Sequence, residues 1–296
     1  MTRAVIVGLD GSRESLAAAD WAAREAQLRS LPLRLVHVEE TESHHPRFVS
    51  SLDAEARERW RRVPDEVAAG LSAGHPGLEV VVERAAGRPA EVLREVAAGA
   101  GMLVLGSHGR GALAGFLVGS VALSAVAHTR CPLVLVRAGG EREGDGGGRG
   151  ERGPYRDVVL GVDPSRPNEE LVEFAFDAAA LRGALLRVVH GWEPPPVYGI
   201  NPVALGPNPV DDLAGEKEQA LAAALRPWRE KYPQVEVVEQ AVIGRPARHL
   251  LEAAEEADLV VVGRHVRRSP LGFHVGPVTH ALMHHSPAPV AVVPYH

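Results

Sequence analysis

Short apolar runs recur along this chain, separated by longer alanine-rich stretches of helical period. Ala4-Val5-Ile6-Val7, Leu33-Arg34-Leu35-Val36, Met102-Leu103-Val104-Leu105 and Leu133-Val134-Leu135-Val136 lack strict polar alternation, as strands buried on both faces do. The pattern predicts strands near 3–9, 33–38, 79–84, 102–106 and 132–137, with helices between them. Ser12 suits the N-cap of a helix running through Ala17, Trp21 and Ala26. Pro89 stands where a first helical residue belongs, and Ser120 opens a helical run over 121–128.

The second half repeats this order. Ala4-Val5-Ile6-Val7-Gly8-Leu9-Asp10-Gly11-Ser12 returns as Asp157-Val158-Val159-Leu160-Gly161-Val162-Asp163-Pro164-Ser165, and Leu33 to His37 returns as Leu186 to His190. Gly87-Arg88-Pro89-Ala90 returns as Gly244-Arg245-Pro246-Ala247, and Cys131 to Val136 as Ala288 to Val293. A period of this length is a duplicated domain rather than a solenoid. The expected architecture is α/β: two repeated doubly wound domains, 1–138 and 154–296, each a five-stranded parallel sheet of order 3-2-1-4-5 with helices on both faces. The glycine-rich, charged stretch 139–153 reads as a flexible linker.

Composition narrows the classes. The chain has 296 residues, 45% hydrophobic, enough for two cores, and a formal charge of −6, without the basic excess of a general nucleic-acid or membrane-surface binder. A lone cysteine excludes an intramolecular disulfide framework, and the first residues lead straight into a strand. A cytoplasmic location is expected, and the Ala, Gly and Arg content suggests a bacterial source.

The candidate chemistry lies in two strand-end segments. Gly106-Ser107-His108-Gly109, followed after nine residues by Gly119-Ser120, leaves a strand and enters a helix. Glycine amides and a helix N-terminus form an anion cradle, to which the Ser120 hydroxyl adds a donor. Asp10 ends the first strand, beside the fourth in the expected order, where a doubly wound sheet places its ligand. It reads equally as an Asx turn or cap, or as a carboxylate that accepts from ribose hydroxyls. His108 could touch a phosphate or be solvated, and Arg110 could compensate charge or be solvated. Neither a P-loop nor a Gly-x-Gly-x2-Gly dinucleotide turn is present.

The spacing Gly-x2-Gly-x9-Gly-Ser at Gly106, Gly109, Gly119 and Ser120, with Asp10 after the first strand, resembles the ATP-binding signature of the universal stress proteins, here in tandem two-domain form. The resemblance implies that Asp10 and the backbone near Leu105 contact ribose, that the backbone near Leu9 and Val38 flanks adenine, and that the glycine loop with Ser120 holds the phosphates of ATP, with or without Mg²⁺. It implies a nucleotide-dependent regulatory or stress-response protein with an unnamed protein partner. A slow Mg²⁺-dependent ATPase or phosphotransferase and a nucleotide-independent scaffold are the alternatives. No catalytic and no metal-binding residue is assigned.

The other conspicuous residues have structural readings. Cys131 reads as a structural thiol, His37 and His190 as packed histidines bonded to backbone, and His44-His45 and His284-His285 as lacking metal-site spacing. The proline-rich stretch from Glu193 to Pro209 reads as a surface loop. The fifth strands, 132–137 and 289–294, are expected to join the repeats as an intramolecular pseudo-dimer, and the same edge could pair chains in a homodimer. The repeats should differ in their ligand. Gly106 and Gly119 recur as Gly263 and Gly276, whereas Gly109 becomes Val266 and Ser120 becomes Pro277, a degenerate cradle. Arg264, His265, Arg267 and Arg268 there could hold another anion or be solvated.

Overall fold

The computed structural model describes residues 3–39, 54–108, 118–139, 155–166, 168–195, 209–266 and 275–296, with side chains from residue 60 onward in the second of these segments. The chain divides into two compact units, one centred on residues 1–144 and the other on 145–265 with 276–296.

In the first unit the strands are β1 (Val5–Gly8), β2 (Leu33–Glu39), β3 (Val80–Ala86), β4 (Met102–Gly106) and β5 (Leu133–Val136). All pair in parallel, in the order β3-β2-β1-β4-β5. The register Val7↔Leu35 and Val7↔Val104 centres β1, so Val5, Ile6 and Val7 are buried on both faces. The helices are α1 (Arg13–Leu28), α2 (Ala54–Gly74), α3 (Pro89–Ala97) and α4 (Ser120–His128). α1 covers β1 and β4, and α2 covers β3 and β2. On the other face α3 covers β1 and β2, and α4 packs on α3 and β5. Reversal of chain direction around β1 leaves a crevice beyond the ends of β1 and β4, the expected place for a ligand in this fold.

The second unit repeats the plan. Its strands are β6 (Asp157–Gly161), β7 (Leu186–Trp192), β8 (Val237–Ile243), β9 (Ala257–His265) and β10 (Val290–Tyr295), in the parallel order β10-β9-β6-β7-β8. Its helices are α5 (Glu169–Arg182), α6 (Pro209–Lys231), α7 (Pro246–Ala254) and α8 (Pro277–His285). The expected doubly wound order thus holds in both repeats.

Local chemistry accounts for the helix starts. Ser12 caps α1, its Oγ accepting from Ser15 N at 3.1 Å, and Pro89 and Pro246 open α3 and α7. The second unit departs at α5. Ser165, the repeat of Ser12, caps nothing, and Asn168 takes the role by accepting from Leu171 N at 3.2 Å. Among the described residues no helix is long and apolar enough to cross a membrane.

Candidate functional site

β1 ends at Gly8, and its last turn is held from several directions. Asp10 Oδ1 accepts from the amide of Ser12 at 2.9 Å and from its hydroxyl at 2.5 Å. The Asx turn is therefore present. Because the same Ser12 oxygen accepts from Ser15 N, the carboxylate, the turn and the first turn of α1 form one connected unit. A carboxylate has about four lone-pair positions, so the turn does not exhaust the acceptor capacity of Asp10. Gly11 follows with φ +74°, a left-handed conformation that glycine adopts readily.

The two main-chain carbonyls that close this strand are both tied down. His37, fully buried in β2, donates Nδ1–H to Leu9 O at 2.8 Å. Burial lowers its pKa below the ordinary 6.5, against the raising effect of the Leu9 bond, so the ring is neutral near pH 7. Trp60 of α2 donates its indole Nε1–H to Asp10 O at 3.2 Å and meets the His37 ring edge-on, with centroids 4.4 Å apart. Sequence reasoning missed Trp60. Fifty residues separate it from Asp10, and nothing in its local pattern marks it.

The second half of the crevice comes from β4. Gly8 lies beneath Leu105, where an added Cβ would stand 2.6 Å from Leu105 Cδ2. Ser107 N donates to Val136 O at 2.8 Å, and Ser107 O accepts from Gly119 N at 2.9 Å. The latter bond pins together the two ends of the loop that carries the glycine signature. Gly119 is the N-cap of α4 and offers no side-chain cap. The first helical bond, Leu123 N to Gly119 O, leaves the amides of Ser120, Val121 and Ala122 at the open helix end, with Ser120 exposed. His108 Nδ1 lies 3.0 Å from Ser107 Oγ, and its buried Nε2 has no hydrogen-bond partner among the described residues. Gly109 and Arg110 lie outside the described residues.

Gly106 and Gly119 both have ordinary backbone angles, so neither is glycine for the sake of positive φ. A Cβ on Gly106 would stand 2.8 Å from Glu14 C and 2.9 Å from Ser15 N. Gly106 is small because the first turn of α1 sits on it. That close approach holds the Asp10 turn against the start of the glycine loop.

The second unit keeps the frame of the turn. Asp163 Oδ1 accepts from Ser165 N at 3.1 Å and Oγ at 2.6 Å, repeating the turn. Burial raises the Asp163 pKa, but the Ser165 bonds with His190 and Arg166 outweigh it and leave the carboxyl below its usual range. His190 Nδ1 donates to Val162 O at 3.1 Å, as His37 does to Leu9. The cradle differs. β9 continues through the buried Arg264 to His265, paired with Pro294 and Tyr295 of β10. A Cβ on Gly263 would meet the Tyr295 ring at 2.6 Å, and Thr279 donates its hydroxyl to Gly263 O at 2.9 Å. Pro277 removes one amide from the start of α8. The end of β7 differs as well. Gly191 replaces Val38, and a Cβ there would lie 2.5 Å from Pro246 Cα. Arg267 and Arg268 lie outside the described residues.

The structural readings of the remaining residues agree with the fold. Cys131 is buried at the start of β5, and burial pushes its thiol up to about 11. No group of three or more His, Cys, Asp or Glu among the described residues is arranged to hold a metal ion. His44 and His45, residues 140–153 of the linker and 196–208 of the proline-rich stretch lie outside the described residues.

The family model described as the universal stress protein family matches residues 1–137 and 154–294. The universal stress protein Rv1996 of Mycobacterium tuberculosis is 34% identical over 305 residues, covering 97% of this chain and 94% of its own. Rv2005c of the same organism is 34% identical over 294 residues, covering 97% and 96%. The crystal structure of a universal stress protein from Archaeoglobus fulgidus superposes with a TM-score of 0.67 at 17% identity, over 99% of both chains. A putative universal stress protein from Pseudomonas aeruginosa gives 0.59 at 16% identity, over 99% and 94%. With a matching family model on each repeat and relatives that share its whole length, this chain belongs to the universal stress protein family, in its tandem form.

Proposed function

We propose that this protein binds one ATP per chain, in the first unit, and acts as a nucleotide-dependent regulatory protein whose loaded state is read by a protein partner rather than as an efficient catalyst. The observation that carries the reading is the pinned loop mouth. Ser107 O and Gly119 N close the loop at 2.9 Å and present the uncapped start of α4 on the strand that neighbours Asp10. The donor set fits an anionic group: three helix-end amides, the Ser120 hydroxyl and the favourable end of the helix dipole. The Asp10 carboxylate is the acceptor for ribose hydroxyls, and the backbone near Leu9, Val38 and Leu105 borders the base and the sugar. Gly109, His108 and Arg110 belong to the loop proposed to wrap the phosphates. Mg²⁺, where present, would enter as the counter-ion of the phosphates, held through them and Ser120.

The differences between the units support the stoichiometry, because Tyr295, Pro277 and the Gly191–Pro246 contact each remove space or a donor from the second crevice. Calorimetric titration with ATP should give one site, abolished by Gly109→Val and little changed by Asp163→Ala. Two equivalent sites, or a site lost only with Asp163→Ala, would overturn the assignment.

A further inference from the structure

We propose that Trp60 is the specificity-determining residue that makes Asp10 a reader of the ribose, a role that rests on the nucleotide site proposed above. The side chain and amide of Asp10 both make local ties. Its Oδ1 is bound by Ser12, and its N–H faces Ser15 Oγ at 3.4 Å. The peptide unit that follows Asp10 runs into Gly11 at φ +74°. Because glycine accepts both signs of φ, that peptide plane can rotate with little cost unless something holds its carbonyl. Trp60 holds it, through Nε1 at 3.2 Å, and an added Cβ on Gly11 would come within 3.8 Å of the indole and 3.5 Å of Val63. The indole is steadied in turn by His37, whose Nδ1–H fixes the preceding carbonyl, Leu9 O. Two successive carbonyls are thus locked by two rings that pack on each other.

The second unit supplies the internal control. There the residue after the aspartate is Pro164, whose ring fixes φ, and the position that repeats Trp60 is Lys217. Where proline stiffens the turn, no tryptophan reaches it. Of that unit's two tryptophans, Trp192 ends β7 with its indole nitrogen buried and without a hydrogen-bond partner among the described residues, and Trp228 of α6 stacks on Phe176 and Tyr232. A glycine turn with an indole clamp and a proline turn without one are two solutions to the same mobility. The clamped turn holds its aspartate half-buried, whereas Asp163 on the proline turn is exposed.

The test compares ATP with its 2′,3′-dideoxy analogue, which keeps base and phosphates but offers Asp10 no ribose hydroxyl. Trp60→Phe retains a ring against His37 and deletes the N–H donor. It should weaken ATP binding about fivefold, the size of one neutral hydrogen bond, and leave the dideoxy analogue unchanged. Trp60→Ala should act in the same direction and more strongly, with thermal unfolding reporting its stability. Equal losses on both nucleotides, or no loss on ATP, would overturn the role of Trp60 while leaving the site standing. A wild-type chain that binds both nucleotides equally well overturns the ribose contact. A wild-type chain that binds neither overturns the nucleotide site, and this role with it.

Discussion

Asp10 anchors the Ser12 turn and is proposed also to accept from ribose, and mutation separates the two only by comparison. Asp10→Ala removes both. ATP affinity should fall by roughly tenfold to a hundredfold, the loss of a hydrogen bond to a charged group, as read by titration. Asp163→Ala removes the same turn from the second unit and should leave ATP affinity unchanged, which isolates the proposed ribose contact. His37 makes a prediction about pH. Its folded pKa lies below the unfolded value of 6.5, so folding favours the neutral ring. That contribution is fully present above pH 6.5 and is lost as pH falls through the folded pKa. Thermal midpoints of the wild type should decline on acidification below about 6.5, more steeply than those of His37→Phe, which has no such proton to take up. The sequence pattern was sufficient to mark Asp10, Gly106 and Gly119 but not the reason each is there. The need for glycine at 106 lies in α1, whose first turn crosses it, and a tertiary approach leaves no local signature.

At the scale of elements, the apolar runs marked the central strands, because a fully buried parallel strand must be apolar on both faces, whereas β3 and β8 are only partly buried. The end residues agree or shift by one or two positions, where backbone pairing rather than side-chain type decides. β9 and β10 run on to His265 and Tyr295, since Arg264 and His265 continue the pairing that their counterparts Ser107 and His108 do not. α5 starts at Asn168 because Pro164 alters the turn and Ser165 no longer reaches the helix. The close approach of α7 to β7 is equally an element-scale matter. Gly191 admits the first residue of α7 to the surface of β7, and a methyl group there would meet Pro246 Cα at 2.5 Å. Gly191→Ala should therefore displace α7 and destabilise the second unit by about 1–3 kcal/mol in denaturant unfolding, with ATP binding in the first unit retained. Gly276→Ala, with nothing among the described residues within 4 Å of the added atom, should cost much less.

For the molecule as a whole, duplication preserved the scaffold and let the two sites diverge. Repeated histidines still tie the ends of β1 and β6, and repeated aspartates still make the same turn. Tyr295 occupies the space above Gly263 where the first repeat has Ala138, a difference the sequence carries as one substitution without its meaning. All the described residues proposed to contact ATP come from 1–138. That segment expressed alone should bind ATP with the same stoichiometry as the full chain, provided circular dichroism shows it folded. Cys131 extends this division of labour into time. It is the chain's single thiol, it lies in the first repeat, and Ala288 stands at its place in the second. With its pKa near 11, only about one thiol in a thousand is ionised at pH 8, and burial bars the reagent from even that fraction. Modification must then wait for β5 to open, so the labelling rate is a clock for the first repeat alone, and added ATP should slow it.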